Sequence, residues 1–309
     1  MMESAGLFAA AVITAAGAGA GWLAGWWLVP KVARLLGEAG YAHPNYAGER
    51  IPVGAGLGVV FGAFVGWALS AFIIELIDPK GGTLGFLGAM ALTAVGFGLV
   101  GLFDDLVGRT SGGGFRGHFR LLIREGTLTT GAFKALGGVV VALITASLLM
   151  SYGAGSGTPF APSPAVAGSL LANGAIIALT ANFVNLLDLR PGRALKGFFL
   201  LLAVALAAAW WTLGYLRAFG QVLVAVAPIV GAAAAAFPGD LRARFMLGDV
   251  GANAVGASVG VVFATLGVEA RLVVLAVLLA LTILSERVSF SRLIEHSRVL
   301  TSIDRWGRR

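Results

Sequence analysis

Nine apolar runs dominate this chain, at residues 5–29, 52–77, 84–103, 135–151, 164–181, 197–213, 219–237, 250–268 and 270–285. Each approaches the ~20 residues that a helix needs to cross a hydrocarbon core. Composition agrees: hydrophobic residues make up 58% and charged residues 12%, where soluble domains carry about 25% charged residues. The expected fold is therefore all-α, a polytopic integral membrane helical bundle of about nine transmembrane helices. No basic residue precedes the first run, only the acidic Glu3, and the run is too long for a signal-peptide core, so it reads as a retained span. Its Gly17, Gly21 and Gly25 repeat a small residue every four positions, a pattern that permits close helix approach. The absence of cysteine excludes a disulfide scaffold and thiol chemistry.

Basic residues alternate from loop to loop. Lys31, Arg34 and Arg50 fall on one side, with Arg109, Arg116, Arg120, Arg124 and Lys134, then Arg190, Arg193 and Lys196, then Arg242 and Arg244. Arg287, Arg292, Arg298, Arg305, Arg308 and Arg309 extend that set, and only Lys80, Arg217 and Arg271 fall on the other side. The bias places the N-terminus outside and the C-terminus in the cytoplasm. The net charge of +7 is thus topological, and no nucleic-acid partner is needed to account for it. The organisation expected is one transmembrane domain over 1–289, with working cytoplasmic loops at 30–51, 104–134, 182–196 and 238–249. A basic cytoplasmic tail follows over 290–309.

The stretch VGLFDDLVGR, residues 100–109, ends an apolar run on two adjacent aspartates, Asp104 and Asp105. A carboxylate at mid-bilayer costs about 2.5–3.5 kcal/mol, and adjacent like charges repel. Either the pair is solvated at a helix end or a cation compensates it. Other polar stretches fall on the same side. HPNYAGERIPVGAGLG carries His43, Asn45, Arg50 and Pro52; ANFVNLLDLRPGRALK carries Asn182, Asn185 and Asp188 at a spacing that puts all three on one helical face; FMLGDVGAN carries Asp249.

Taken singly, each has a plain structural reading. Asn182 and Asn185 can be interhelical hydrogen-bond partners, and Asp249 can be a helix N-cap. SGGGFRG lacks the Lys-Ser/Thr ending of a phosphate-binding P-loop. His118 and His296 read as solvated residues of basic segments, and the arginines around His118 can anchor lipid headgroups. Taken together, Asp104, Asp105, Asp188 and Asp249 come from three loops at one membrane face. Hard carboxylate oxygens of this kind suit Mg²⁺ held jointly with substrate phosphates, and the surrounding arginines and lysines suit the remaining phosphate charge.

The ordered set GLFDD, NFVNLLD and FMLGDVGANAVG, preceded by ERIPVGAGLG, resembles the polyprenyl-phosphate N-acetylhexosamine-1-phosphate transferases over residues 45–265. That superfamily includes the phospho-N-acetylmuramoyl-pentapeptide transferases. The resemblance implies a multi-pass cell-membrane enzyme of cell-envelope glycan synthesis, with its active site at the cytoplasmic face. A polyprenyl phosphate would attack a UDP-amino sugar, giving polyprenyl-diphosphate-sugar and UMP with Mg²⁺ as cofactor. It implies that Asp105 and Asp249 hold the metal and that Asp104 orients the lipid phosphate or shares the ion. Asn182, Asn185 and Asp188 would line the nucleotide-sugar pocket, with Arg50, His118, Arg120 and Arg124 as further candidates for substrate contact.

The chain departs from that family's pattern. Pro191 stands where peptidoglycan members carry a second aspartate in the nucleotide loop. FMLGD has an extra leucine, Ala252 replaces a serine, and the C-terminal segment offers only His296 in place of a histidine cluster. These departures define the alternative, a catalytically inactive relative that scaffolds envelope partners or binds the lipid carrier. A transporter with intramembrane carboxylates is the third reading, disfavoured because all four aspartates lie at one face. The sequence leaves the sugar, the polyprenol and the formation of a homodimer open.

Overall fold

The computed structural model describes residues 2–45, 47–77, 82–108, 114–153, 163–213 and 216–308. It is an all-α membrane protein in which, among the described residues, eight helices are long and apolar enough to cross a bilayer. They are α1 (Met2–Glu38), α2 (Gly56–Ile77), α3 (Thr83–Val107), α5 (Thr130–Gly153), α6 (Pro164–Leu187), α7 (Arg193–Leu213), α8 (Leu216–Leu241) and α10 (Val268–Ser285). Where the sequence reads a ninth span, at 250–268, the structure has a shorter apolar helix, α9 (Gly248–Ala264). Three short helices lie outside these segments: α4 (Gly114–Glu125), α11 (Phe290–His296) and α12 (Arg298–Arg305). A two-stranded antiparallel hairpin, β1 (Ala42–Pro44) and β2 (Arg50–Pro52), joins α1 to α2 with His43 opposite Ile51.

Helix α9 is the centre of the bundle. Every residue from Val250 to Ala264 is buried, and α3, α6, α7 and α2 surround it. Small residues make that possible, because packing without a hydrophobic driving force relies on close backbone approach. A methyl group at Gly101 of α3 would overlap the Asp249 carbonyl, and one at Gly56 of α2 would overlap the backbone of Gly251. Gly256 and Gly260 press in the same way on Ala181 and Ile177 of α6.

The glycine repeat of α1 does equivalent work elsewhere. Gly17, Gly21 and Gly25 lie against α8, where a side chain at Gly21 would collide with the carbonyl of Pro228. Gly62 and Gly66 of α2 close the same three-helix seam from the other side. The indole Nε1–H of Trp67 donates to the Ala225 carbonyl at 2.8 Å, so this large buried ring leaves no polar atom unpaired. Outward-facing Phe61, Phe64, Phe72 and Trp211 are exposed, as expected where the solvent is lipid.

Helices run past the apolar runs that announce them. α1 continues to Glu38, α3 includes Asp104 and Asp105, and α5 begins before Lys134. The segments 30–51, 104–134, 182–196 and 238–249 thus take in helix ends as well as the turns between them. A hydropathy run stops at the first charges, whereas the backbone hydrogen-bond ladder is indifferent to them. The C-terminal segment also differs from a free tail. Helix α12 docks on the start of α7, where buried Arg193 forms a bidentate pair with Asp304 at 2.8 and 3.0 Å. Lys196 donates to the carbonyls of Ile303, Asp304 and Trp306, and Arg308 closes the cluster on Asp304 at 2.6 and 3.0 Å.

Candidate functional site

The face where α3, α6 and α8 end and α5, α7 and α9 begin carries the chemistry. Helix α9 starts in this cluster, and its first amides have no carbonyl partners within the helix. Two carboxylates from distant segments supply acceptors. Asp188, the residue that ends α6, accepts from Gly248 N–H at 2.9 Å. Asp105, near the end of α3, accepts from Asp249 N–H on Oδ1 and from Val250 N–H on Oδ2, both at 2.9 Å. The partial positive charge of a helix N-terminus favours both. Gly248 has φ +73°, and a side chain there would strike the Gly54 nitrogen at 2.6 Å and Asp105 Oδ2 at 2.7 Å. Only glycine lets the hairpin exit, α3 and α9 meet at this point.

With its backbone fixed, the Asp249 side chain turns to Lys134, near the start of α5. The Lys134 ammonium ion-pairs with Asp249 and also reaches Asp104 Oδ2 at 3.3 Å. The side chains of all three retain 21–26% exposure, so the triad is open to a ligand. Asn253, buried one turn along, donates to the Asp249 carbonyl at 2.6 Å.

The adjacent aspartates therefore have separate tasks. Both oxygens of Asp105 face helix amides, whereas Asp104 faces a cation shared with Asp249. Among the described residues no three His, Asp or Glu side chains converge as a ready metal cage. Asp104 and Asp249 do converge on one cationic position, and two carboxylates completed by substrate phosphates suit Mg²⁺.

Behind the triad the site becomes drier. Burial lifts the Asp188 carboxyl well above the usual carboxylate range, and the nearby carboxylates of Asp240, Asp249 and Asp105 push the same way. The Gly248 amide opposes them. Asp240 is buried with Oδ2 accepting no hydrogen bond, and Asn185 Oδ1 is likewise buried without a partner. Buried polar atoms are ordinarily paired, so among the described residues these two acceptors are left free for a donor.

The remaining sequence candidates are more dispersed. Arg50 is exposed on β2 and donates to the Ala42 carbonyl at 2.8 Å. Asn182 is partly buried on α6, one turn from Asn185. Arg124 is exposed in the last turn of α4. His118 and Arg120 lie on the α4 backbone, but their side chains fall outside the described ones, as does Arg109.

Lys134 and Asp240 were not among the sequence candidates. Lys134 counts there only as a topological charge. The signal was its place, an isolated cation in the first turns of a long apolar helix. Asp240 lies in the last turn of α8, after its alanine-rich stretch. No protein-family model matches the chain, and no curated protein matches it.

Proposed function

We infer that the protein is a Mg²⁺-dependent transferase that moves a sugar-1-phosphate from a UDP-sugar to polyprenyl phosphate. The motif resemblance favours N-acetylhexosamine-1-phosphate as the transferred group and cell-envelope glycan synthesis as the setting. The observation that carries this reading is the meeting of Asp104, Lys134 and Asp249, from three helices far apart in sequence, in a partly exposed triad. The one-sided placement of arginines supports an outer N-terminus and a cytoplasmic C-terminus, and a count of nine spans that includes the shorter α9 has the matching parity. That orientation puts the triad at the cytoplasmic face of the cell membrane.

Asp104 and Asp249 are the residues that would hold Mg²⁺, and Asp105 serves to position Asp249. When bound, the ion supplies neutralisation of charge on the diphosphate. Lys134 provides the second positive charge where phosphate oxygens gather, preorganised by the two carboxylates that hold it. Asn185 Oδ1 offers an acceptor to a donor on the nucleotide sugar. The lipid phosphate oxygen attacks the sugar-bearing phosphorus, the bond to the bridging oxygen breaks, and UMP departs with the electron pair. A phosphate nucleophile is ionised at neutral pH, so no strong base is required of the protein.

Release of UMP by the purified protein tests the reading, with undecaprenyl phosphate, Mg²⁺ and a panel of UDP-amino sugars. Release with one donor, lost in Asp249→Asn, is expected. One observation favours a second reading. Lys134 already compensates Asp104 and Asp249, as it would in a non-catalytic binder of the lipid carrier. No UMP from any donor, with binding of undecaprenyl phosphate retained, would select that reading.

A further inference from the structure

A cleft of about 470 Å³ opens between α1, the end of α8 and the turn that follows it. Trp26, Val29 and Phe245 give it an apolar wall, and Arg34, Arg242 and Arg244 also line it. All three arginines are exposed, and none has an ion pair or side-chain hydrogen bond among the described residues. Some arginines near this face are engaged: Arg193 and Arg308 with Asp304, Arg190 with Glu295, Arg50 with a carbonyl. Others, such as Arg292, Arg298 and Arg305, also have no such bond among the described residues but do not line this cleft; what sets Arg34, Arg242 and Arg244 apart is that three free guanidiniums meet at one apolar wall.

The backbone between two of them is also exceptional. Ala243, with φ 52°, is the one described non-glycine residue at positive φ. It ends α8 in a left-handed conformation that helix ends usually give to glycine, and that costs an L-residue about 1–2 kcal/mol. The reversal brings Arg242 and Arg244 to the same cleft.

Depth in the membrane indicates what belongs there. Trp22, Trp26 and Trp27 are exposed along α1, and the Lys31 ammonium lies 4.1 Å from the centre of the Trp27 ring. An aromatic and basic belt of this kind marks the boundary of the hydrocarbon core. Arg34 follows Trp26 by eight residues, about 12 Å along the helix, on the headgroup side of that belt.

We propose that this cleft is a binding site for an anionic phospholipid, its chain on Trp26, Val29 and Phe245 and its phosphate on Arg34, Arg242 and Arg244. The guanidinium fork matches phosphate oxygens in charge and geometry. The site is distinct from the carboxylate triad, since none of Asp104, Asp105, Lys134 and Asp249 lines it. Phe245 and the backbone bonds from Met246 N–H to the Pro52 carbonyl and from Ala55 N–H to the Met246 carbonyl, at 2.8 and 3.2 Å, form the partition. The proposal does not rest on the transferase reading.

The test titrates the full-length protein in a neutral detergent with fluorescently tagged phosphatidylglycerol or phosphatidylcholine. Each arginine near an anionic lipid contributes about 1 kcal/mol, or roughly fivefold in affinity. Arg34→Gln/Arg242→Gln/Arg244→Gln should weaken phosphatidylglycerol binding at least tenfold. Arg292→Gln/Arg298→Gln/Arg305→Gln, with the same loss of charge on the C-terminal helices, should change it less than twofold. Trp26→Ala should weaken binding while the melting temperature holds. Equal losses in the two triple variants, or no preference over phosphatidylcholine, would overturn the site. Competition by glycerol phosphate as effective as by the lipid would make it a site for soluble anions. Preferential displacement by undecaprenyl phosphate would reassign it to the carrier lipid; either result refutes the proposal.

Discussion

The carboxylate of Asp105 accepts the backbone N–H of Asp249 at 2.9 Å, joining the end of α3 to the beginning of α9 across 144 residues of sequence. A second bond to Val250 uses the other oxygen. This carboxylate therefore governs where the next one, Asp249, can point. Asp105→Ala should leave two helix-terminal amides without this acceptor and lower stability by about 1–3 kcal/mol. Asp105→Asn, which keeps one acceptor, should lose less. Thermal unfolding in detergent checks the order. Mg²⁺ affinity that survives Asp105→Asn but not Asp249→Asn would separate positioning from ligation.

Lys134 is the hub of the triad. Lys134→Met should destabilise the protein, because it leaves Asp104 and Asp249 facing each other without a counter-charge. Adding Asp249→Asn should recover part of that loss. A double-mutant cycle should give a coupling of about 1 kcal/mol or more. Lys134→Gln should also abolish UMP release, whereas additive stability changes would show that the ion pair is not coupled.

Asp304 ties the C-terminal helices to α7. Burial alone would raise its pKa, but hydrogen bonds and charge from Arg193 and then Arg308 prevail and hold it below the usual range. A carboxyl depressed in the folded state stabilises docking above its unfolded pKa of about 3.9 and loses that stabilisation as pH falls through the folded value. Hydrogen exchange over residues 290–308 should stay slow at neutral pH and rise sharply below about pH 4. Asp304→Asn should show the rapid exchange already at pH 7.

Asp188 carries the opposite sign. Its folded pKa is raised by burial and neighbouring carboxylates, so its contribution to stability is fully present below the unfolded value and is lost as pH rises through the folded one. Asp188→Asn retains an acceptor for the Gly248 amide without the buried charge. The variant should gain on the wild type as pH rises from 5 to 9, read as a widening difference in melting temperature.

Glycine contacts at the central helix give a packing prediction. Gly101→Ala and Gly56→Ala place a methyl group against the backbone of α9, and each should cost about 1–3 kcal/mol. Gly88→Ala and Gly168→Ala, on α3 and α6 with open space around them, should be neutral or slightly stabilising. Equal effects in the two pairs would show that α9 is not clamped as described.

The apolar runs determined that the chain is a bundle of long helices, because about twenty such residues find a stable environment only across a bilayer. They also determined the face on which chemistry-bearing residues gather, since charges sort to helix ends. Asp104, Asp105, Asp188 and Asp249 were legible on those grounds. Which aspartate faces a cation and which faces a helix amide was not legible, because Asp104 and Asp105 are adjacent and chemically identical. The rotation of α3 against α9, set by the close approach at Gly101, separates them. Lys134 in the triad, Asp304 under the α6–α7 turn and the three arginines around one cleft were also decided by tertiary structure. Each joins side chains scores of residues or more apart, and periodicity along a single helix carries no information about such distances.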